Sequence, residues 1–226
     1  MPFQDYKEGE APLIYIITPT YKRPTRYADF MRLLYTLLHL KNIHWLIIED
    51  GETTDVNIEK LLSAYDIQHT YFAQINNLPK KKRSLIRGMD QRNAGLNWIR
   101  LNHNIETRAV LYFADDDNAY SLEIFDEIRF TKKVAVFPVG LTNDEVIVRN
   151  GKVVRFGKQR KNYQRKFAVD MAAFAINVDV LFRNPKLQFE SKHPGYLETN
   201  FLEKITTMSE LEPKSYNCTR VRKIKT

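Results

Sequence analysis

The apolar run Val110-Leu111-Tyr112-Phe113-Ala114 ends directly in three carboxylates, Asp115-Asp116-Asp117. No other feature of the chain constrains its fold as much. Branched and aromatic residues without polar alternation read as a strand buried on both faces, which requires helices above and below a parallel sheet. Three adjacent aspartates repel one another, so a fold that keeps them must bring positive charge to them. Hard divalent cations such as Mg²⁺ and Mn²⁺ meet that need, because they prefer carboxylate oxygens. Ligands of open α/β sheets bind beyond the carboxyl ends of the strands, where these aspartates would sit. The competing reading is an acidic turn capping a helix that starts near Ser121, with Glu123 facing the positive end of its dipole.

Strands and helices alternate around this run. Leu13 to Thr18 reads as a buried strand ending at Pro19-Thr20-Tyr21, and Arg26 to His39 as a helix with Phe30, Leu33, Leu34, Leu37 and Leu38 at helical spacing. His44 to Glu49 is a second strand, ending at the turn pair Asp50-Gly51. Asn57 to Ala64 reads as a helix, Gln68 to Phe72 as a short strand, and Asp90 to Leu101 as a helix carrying Trp98. After the central strand come a helix over Leu122 to Ile128 and a strand over Val134 to Val139. This rhythm predicts the α/β class, with a Rossmann-like, mostly parallel sheet. The second half changes character. Val146 to Arg155 reads as a hairpin on Asn150-Gly151, Ala172 to Ile176 as a strand, and Val178 to Arg183 and Leu197 to Ile205 as helices. No repeat, low-complexity tract or linker interrupts the chain, so one domain over 1–226 is expected.

Charge narrows the partners. Lys+Arg of 35 against Asp+Glu of 27 leaves +8 over 226 residues, which favours an anionic partner: nucleic acid, membrane, acidic glycan or nucleotide phosphate. No nucleic-acid-binding motif is present, and the clustered carboxylates would repel a phosphate backbone, so nucleic acid is not expected as a partner. A two-metal hydrolase would draw ligands from several strands, often with histidine, and no His-rich constellation exists. The single cysteine, Cys218, excludes an intrachain disulfide and a cysteine metal cluster. Residues 1–12 hold no apolar core of signal-peptide length, and no run approaches a membrane span, so the chain as written reads as soluble.

In a parallel sheet, Pro19-Thr20-Tyr21, Asp50 and Asp115 to Asp117 would share one edge and converge on one crevice. Arg87 and Arg92 flank the start of a helix, where the dipole adds attraction for phosphate. The basic run Lys80 to Arg83 reads as a solvated loop.

Six ordered blocks then become recognisable: residues 17–21 (ITPTY), 44–50 (HWLIIED), 91–98 (QRNAGLNW), 112–118 (YFADDDN), 169–175 (VDMAAFA) and 195–199 (GYLET). From about Leu13 to Val221 the chain resembles the β-1,3-glucuronyltransferases, glycosyltransferases with the GT-A nucleotide-sugar fold. The resemblance implies a nucleotide-sugar-binding half over 1–120 and an acceptor-binding half over 121–226. It implies a UDP-sugar donor, a galactose-terminated glycan acceptor, a Mn²⁺ cofactor, a homodimer and a Golgi setting with an N-terminal membrane anchor, of which this chain holds none. Residue by residue, Pro19, Thr20, Tyr21 and Asp50 match positions that hold the uridine, Tyr21 by stacking. Arg87 and Arg92 match arginines near the base, phosphates and sugar. Asp115 and Asp116 match contacts to ribose and donor sugar, Asp117 matches the metal ligand, Asp170 a sugar-site aspartate and Glu198 the catalytic base.

Inverting transfer needs only one base, so a lone glutamate suffices, unlike the paired carboxylates of glycoside hydrolases. Read without the resemblance, Glu198 is a dipole-compensating residue in a first helical turn. Two positions depart from the family pattern. Lys225 stands where a donor-contacting histidine is expected, and Pro194 where an arginine is expected, with Lys192 and His193 nearby. UDP-xylose, the donor of the plant xylan-synthesis relatives, therefore stands as the second candidate donor, and a binding partner without turnover as a further reading. Asn217-Cys218-Thr219 fits an N-glycosylation sequon.

Overall fold

Four parallel strands carry the first half of the chain: β1 (Leu13–Thr20), β2 (Ile43–Glu49), β3 (His69–Ala73) and β4 (Ala109–Phe113). Helices α1 (Arg26–Leu37), α2 (Val56–Ser63) and α3 (Met89–Asn102) lie between them in sequence. This computed structural model describes residues 11–75, 86–140, 146–157, 165–190, 195–220 and 223–225. β1 sits between β2 and β4, so the chain builds outward to β3 and then returns to the other side of β1. That reversal makes a crevice at the carboxyl ends of β1 and β4, where α/β sheets bind ligands.

The absence of polar alternation in these strands follows from burial on both faces. Ile14, Ile16, Trp45, Ile47 and Tyr112 pack with Phe30, Leu33 and Ile58 of α1 and α2. Tyr15, Ile17, Leu46, Ile48 and Phe113 pack on the other face with Leu96 and Ile99 of α3. Gly95 allows α3 to approach closely, since a Cβ there would lie 2.9 Å from Ile17 Cγ2.

Later elements extend the sheet. β5 (Asn118–Tyr120) follows the aspartates, then α4 (Leu122–Ile128), β6 (Val134–Val136) and β7 (Val139–Gly140). A hairpin of β8 (Val146–Arg149) and β9 (Lys152–Phe156) turns on Asn150 and Gly151, both at positive φ, as an Asn-Gly turn requires. β10 (Phe174–Asn177) leads into α5 (Val178–Arg183), followed by α6 (Leu197–Leu202), β11 (Glu212–Pro213) and β12 (Lys223–Lys225). The sheet order is β11-β6-β10-β4-β1-β2-β3, and β10 alone runs antiparallel to its neighbours. β12 pairs with β5 and β7 in a separate small sheet.

Three expectations need correction. The strand expected over Val134 to Val139 is two short strands in different sheets. The strand expected over Ala172 to Ile176 begins as a 3-10 turn, Met171–Ala173, whose entry is capped by Asp170. The helix expected to reach Ile205 stops at Leu202, although Ile205 remains buried, because apolar spacing marks the core and not the helix end. No helix among the described residues is long and apolar enough to cross a membrane.

Candidate active site

The ends of β1, β2 and β4 do converge. The Thr20 hydroxyl donates to Asp116 Oδ2 at 2.7 Å, and the Asp50 amide donates to the Thr20 carbonyl at 2.8 Å. Thr20 is therefore turned into the fold, with its side chain committed to an aspartate. Beneath this corner, Arg26 is buried against Glu49, the last residue of β2, and Tyr71 Oη donates to the same carboxylate at 2.6 Å. A buried, paired charge next to Asp50 anchors the end of β2, since leaving either partner alone in the core is costly.

Two of the aspartates are paired with arginines of the chain. Arg23 donates from Nη1 to Asp116 Oδ2 at 3.0 Å and from Nη2 to Oδ1 at 2.9 Å, a bidentate pair, while also reaching Asp29 at 2.9 Å. Arg92 Nη2 donates to Asp115 Oδ1 at 2.5 Å and Nη1 to the Arg87 carbonyl at 3.0 Å. Burial raises the Asp116 carboxyl above its ordinary value, while Arg23 and Thr20 pull against it. Part of the positive charge that the triplet needs thus comes from the chain, through Arg23 at Asp116 and Arg92 at Asp115. Arg23 was missed because its partner lies 93 residues away in sequence. The turn itself is set by Tyr120, whose hydroxyl donates to the Asp115 carbonyl at 3.0 Å.

Asp117 occupies the same turn, half-buried, and its charge adds to the upward push on Asp116. Among the described residues, no group of three or more His, Cys, Asp or Glu side chains is arranged to hold an ion. Asp117 offers carboxylate oxygens, the donor type of small hard cations, which usually bind through one or two carboxylates together with ligand phosphates.

Tyr21 stands at the mouth, 38% exposed. Arg23 and Arg87 lie 5.1 and 5.6 Å from its ring centroid, and Arg87 Nη1 donates to its hydroxyl at 3.2 Å. Guanidinium groups hold the ring in place, leaving a planar aromatic surface suited to stacking. Gly88, at φ 73°, opens α3 beside it. A Cβ at Gly88 would lie 2.7 Å from Arg92 Nη1 and 3.0 Å from Pro19, so only glycine lets Arg92 reach Asp115 past Pro19.

Glu198 comes from the other half of the chain, in the first turn of α6. Gly195, at φ 82°, bends the chain into that helix, and Arg165 Nη1 donates to the Gly195 carbonyl at 3.3 Å. The same guanidinium lies 3.9 Å from Glu198 Oε2, close enough to attract but too far for a hydrogen bond. Burial pushes the Glu198 carboxyl up to about 7; its own backbone N–H, Arg165 and Arg92 lower it, and Asp170 raises it further. Its side chain retains 17% exposure, which leaves it a path to solvent. Asp170 Oδ1 accepts from the Ala172 amide at 3.0 Å, so this aspartate is oriented by the 3-10 turn. Glu198 thus feels both Asp170 and Arg92, and Arg92 links it to the aspartate corner. Simple dipole compensation does not account for a carboxyl raised this far. Arg165, like Arg23, gave no signal in the sequence beyond its charge. Lys80 to Arg83, and Pro194 with Lys192 and His193, lie outside the described residues.

Known proteins resemble this chain in sequence and in fold. The model of glycosyltransferase family 43 matches residues 33–226. Mouse galactosylgalactosylxylosylprotein 3-beta-glucuronosyltransferase 2 is 42% identical over 222 residues, which covers 95% of this chain and 68% of the mouse protein. Human galactosylgalactosylxylosylprotein 3-beta-glucuronosyltransferase 1 is 37% identical, over 93% of this chain and 67% of the human protein. In structure, residues 1–349 of S. aureus TarS with UDP superpose at a TM-score of 0.55 and 12% identity, covering 94% of this chain and 60% of that one. The inositol-1-phosphate CTP transferase of T. maritima superposes at 0.56 and 10% identity, covering 97% and 91%. At those identities the two structures speak for the shared fold alone, a GT-A-like arrangement around a mostly parallel sheet.

Proposed function

This chain belongs to glycosyltransferase family 43, and from that premise we propose that it moves glucuronate from UDP-glucuronate to the 3-OH of a terminal galactose, inverting the anomeric centre. The observation that carries the reading is a carboxyl raised to about 7, Glu198, placed within the field of Arg92, the arginine that grips Asp115. A general base works best with a pKa near the operating pH, and an ordinary glutamate is too weak to accept a hydroxyl proton efficiently.

Each side chain then has a task. Tyr21 stacks on the uracil, and Asp50 bonds its edge. Pro19 and Thr20 shape the strand end, Thr20 by holding Asp116. Arg87 and Arg92 orient the diphosphate and sugar, while Asp115, Asp116 and Asp170 meet the ribose and sugar hydroxyls. Glu198 takes the proton from the acceptor oxygen as that oxygen attacks the face opposite the leaving diphosphate. Asp117 would hold Mn²⁺ together with the diphosphate, and the ion supplies charge neutralisation for the departing group. In this reading residues 1–120 bind the donor and 121–226 the acceptor, the protein works as a homodimer, and its setting is the Golgi lumen. Asn217, exposed within its sequon, is compatible with that compartment.

The donor choice has its own support. β12 pairs antiparallel with β5, with residue 225 opposite Asn118, next to Asp117 in the chain. The sequence has a lysine at that backbone position, a residue type that suits an anionic sugar better than xylose. The test is a turnover screen of UDP-glucuronate and UDP-xylose with Mn²⁺ and galactose-terminated acceptors. UDP-glucuronate should win by about tenfold or more, worth roughly 1.4 kcal/mol. Equal use, or preference for UDP-xylose, would reassign the donor. Calorimetry of UDP with Asp117→Asn addresses the metal: affinity that still depends on Mn²⁺ as in the wild type would remove Asp117 from its site.

A further inference from the structure

The whole net charge of the chain lies in one stretch. Residues 146–166 contain eight lysines and arginines and no acidic residue, so with a total of +8 the remainder of the chain is neutral. Of the stretch's described members, Arg165 lies 3.9 Å from Glu198. The described part begins on the β8–β9 hairpin, where Arg149, Lys152 and Arg155 are exposed, and resumes at Arg165 and Lys166. Arg149 and Lys152 are directly opposite each other across the two strands. Like charges in that position destabilise a hairpin unless an anion lies between them. Among the described residues no carboxylate comes within ion-pair distance of Arg149, Lys152, Arg155 or Lys166.

This basic face is joined to the site. Phe156, next to Arg155, packs against Phe167, next to Lys166, with ring centroids 6.2 Å apart. Lys166 Nζ lies 5.5 Å from the Phe167 ring centroid. The Phe167 carbonyl accepts from the Thr199 hydroxyl at 2.6 Å, and Thr199 adjoins Glu198. A rigid aromatic pair therefore sets the cations at a fixed position relative to the base, on the acceptor half of the chain.

We propose that Arg149, Lys152, Arg155 and Lys166 form a docking surface for a polyanionic glycan, so that the acceptor sugar is presented on a chain carrying sulfate, phosphate or carboxylate groups. The inference rests on the glycosyltransferase reading above. Its chemistry is that of spaced cations meeting spaced anions, with release of counterions. The exposed hairpin residues include no aromatic for base stacking, and Val154, 44% exposed, is its one large exposed apolar side chain among the described residues, which disfavours single-stranded nucleic acid and membrane insertion.

The experiment is calorimetry of heparin, a sulfated polysaccharide, binding to the wild type and to Arg149→Glu/Lys152→Glu/Arg155→Glu, across a salt series. The wild type should bind at about 0.15 M salt. The variant should bind at least about tenfold more weakly, with a log–log salt slope shallower by about two to three. Its transfer to a small neutral acceptor should stay within about twofold of wild type, because among the described residues none of these three side chains bonds to a residue assigned to the donor or the base. Should the triple variant melt early, Arg149→Gln/Lys152→Gln carries the same test with a smaller loss. No heparin binding by the wild type, equal binding by the variants, or duplex DNA or anionic vesicles bound as tightly as heparin would each overturn the proposal. Binding is read without turnover, so failure of glucuronyl transfer to every acceptor would fail the proposed function and leave this result readable.

Discussion

Asp116, buried, and Glu198, half-buried, are both carboxyls raised above their ordinary values, and the protein treats them in opposite ways. Asp116 receives three hydrogen bonds, two from Arg23 and one from Thr20, at 2.7–3.0 Å. Among the described residues Glu198 receives no side-chain hydrogen bond, and it has its arginine at 3.9 Å. Burial alone therefore does not decide what a carboxyl does. Donors within bonding reach make an anchor whose charge and position are fixed. A cation kept just beyond that reach leaves a group that exchanges its proton near neutrality, as a base must.

The largest effect expected from this contrast is on turnover. Glu198→Gln keeps the shape but removes the base, so transfer should fall by about 10²–10⁴-fold while UDP affinity holds. Retention of more than about a tenth of wild-type activity, outside that range, would take Glu198 out of the mechanism.

Breaking the anchor should instead cost stability. Arg23→Gln leaves Asp116, 6% exposed, with Thr20 as its remaining side-chain donor. Urea unfolding should show a loss of about 3 kcal/mol, the usual effect of orphaning one member of a buried pair. A loss under about 0.5 kcal/mol would mean that the pair behaves as a surface bridge.

Glu198 makes the reverse prediction for stability. Its native carboxyl keeps a proton up to about 7, whereas the unfolded chain releases it near 4.5, so the wild type loses stability as pH rises through that window. Glu198→Gln escapes the loss. It should be more stable than wild type by about 3 kcal/mol at pH 8, with the difference closing by pH 4. The same difference at both pH values would contradict the raised carboxyl.

A smaller effect should follow at Gly88. Alanine there meets Arg92 Nη1 and Pro19 and occupies a left-handed backbone, so Arg92 shifts away from Asp115. UDP should bind about tenfold more weakly, worth roughly 1.4 kcal/mol, as calorimetry would show.

Much of this was legible in the sequence, for physical reasons. β1, β2 and β4 announce themselves because strands buried on both faces need uninterrupted apolar runs, and their shared edge follows from parallel order. Pairing direction leaves no such trace, which is why β10 reads as a strand but not as an antiparallel one. The aspartate triplet announced a site, but not its pairing with Arg23 and Arg92, because an arginine's partner is chosen by the tertiary fold. The same holds for Arg26 under Asp50 and Arg165 beside Glu198. A glutamate in a first helical turn looks alike whether it offsets a dipole or abstracts a proton, and only its burial separates the two.

The pH dependence of transfer therefore tests the account most directly. With saturating Mn²⁺, kcat/KM should rise tenfold per pH unit below about 7 and level off above it, as Glu198 loses its proton. A limb centred near 4.5, the ordinary value for a glutamate, would contradict the claim that the fold raises this carboxyl to serve as the base.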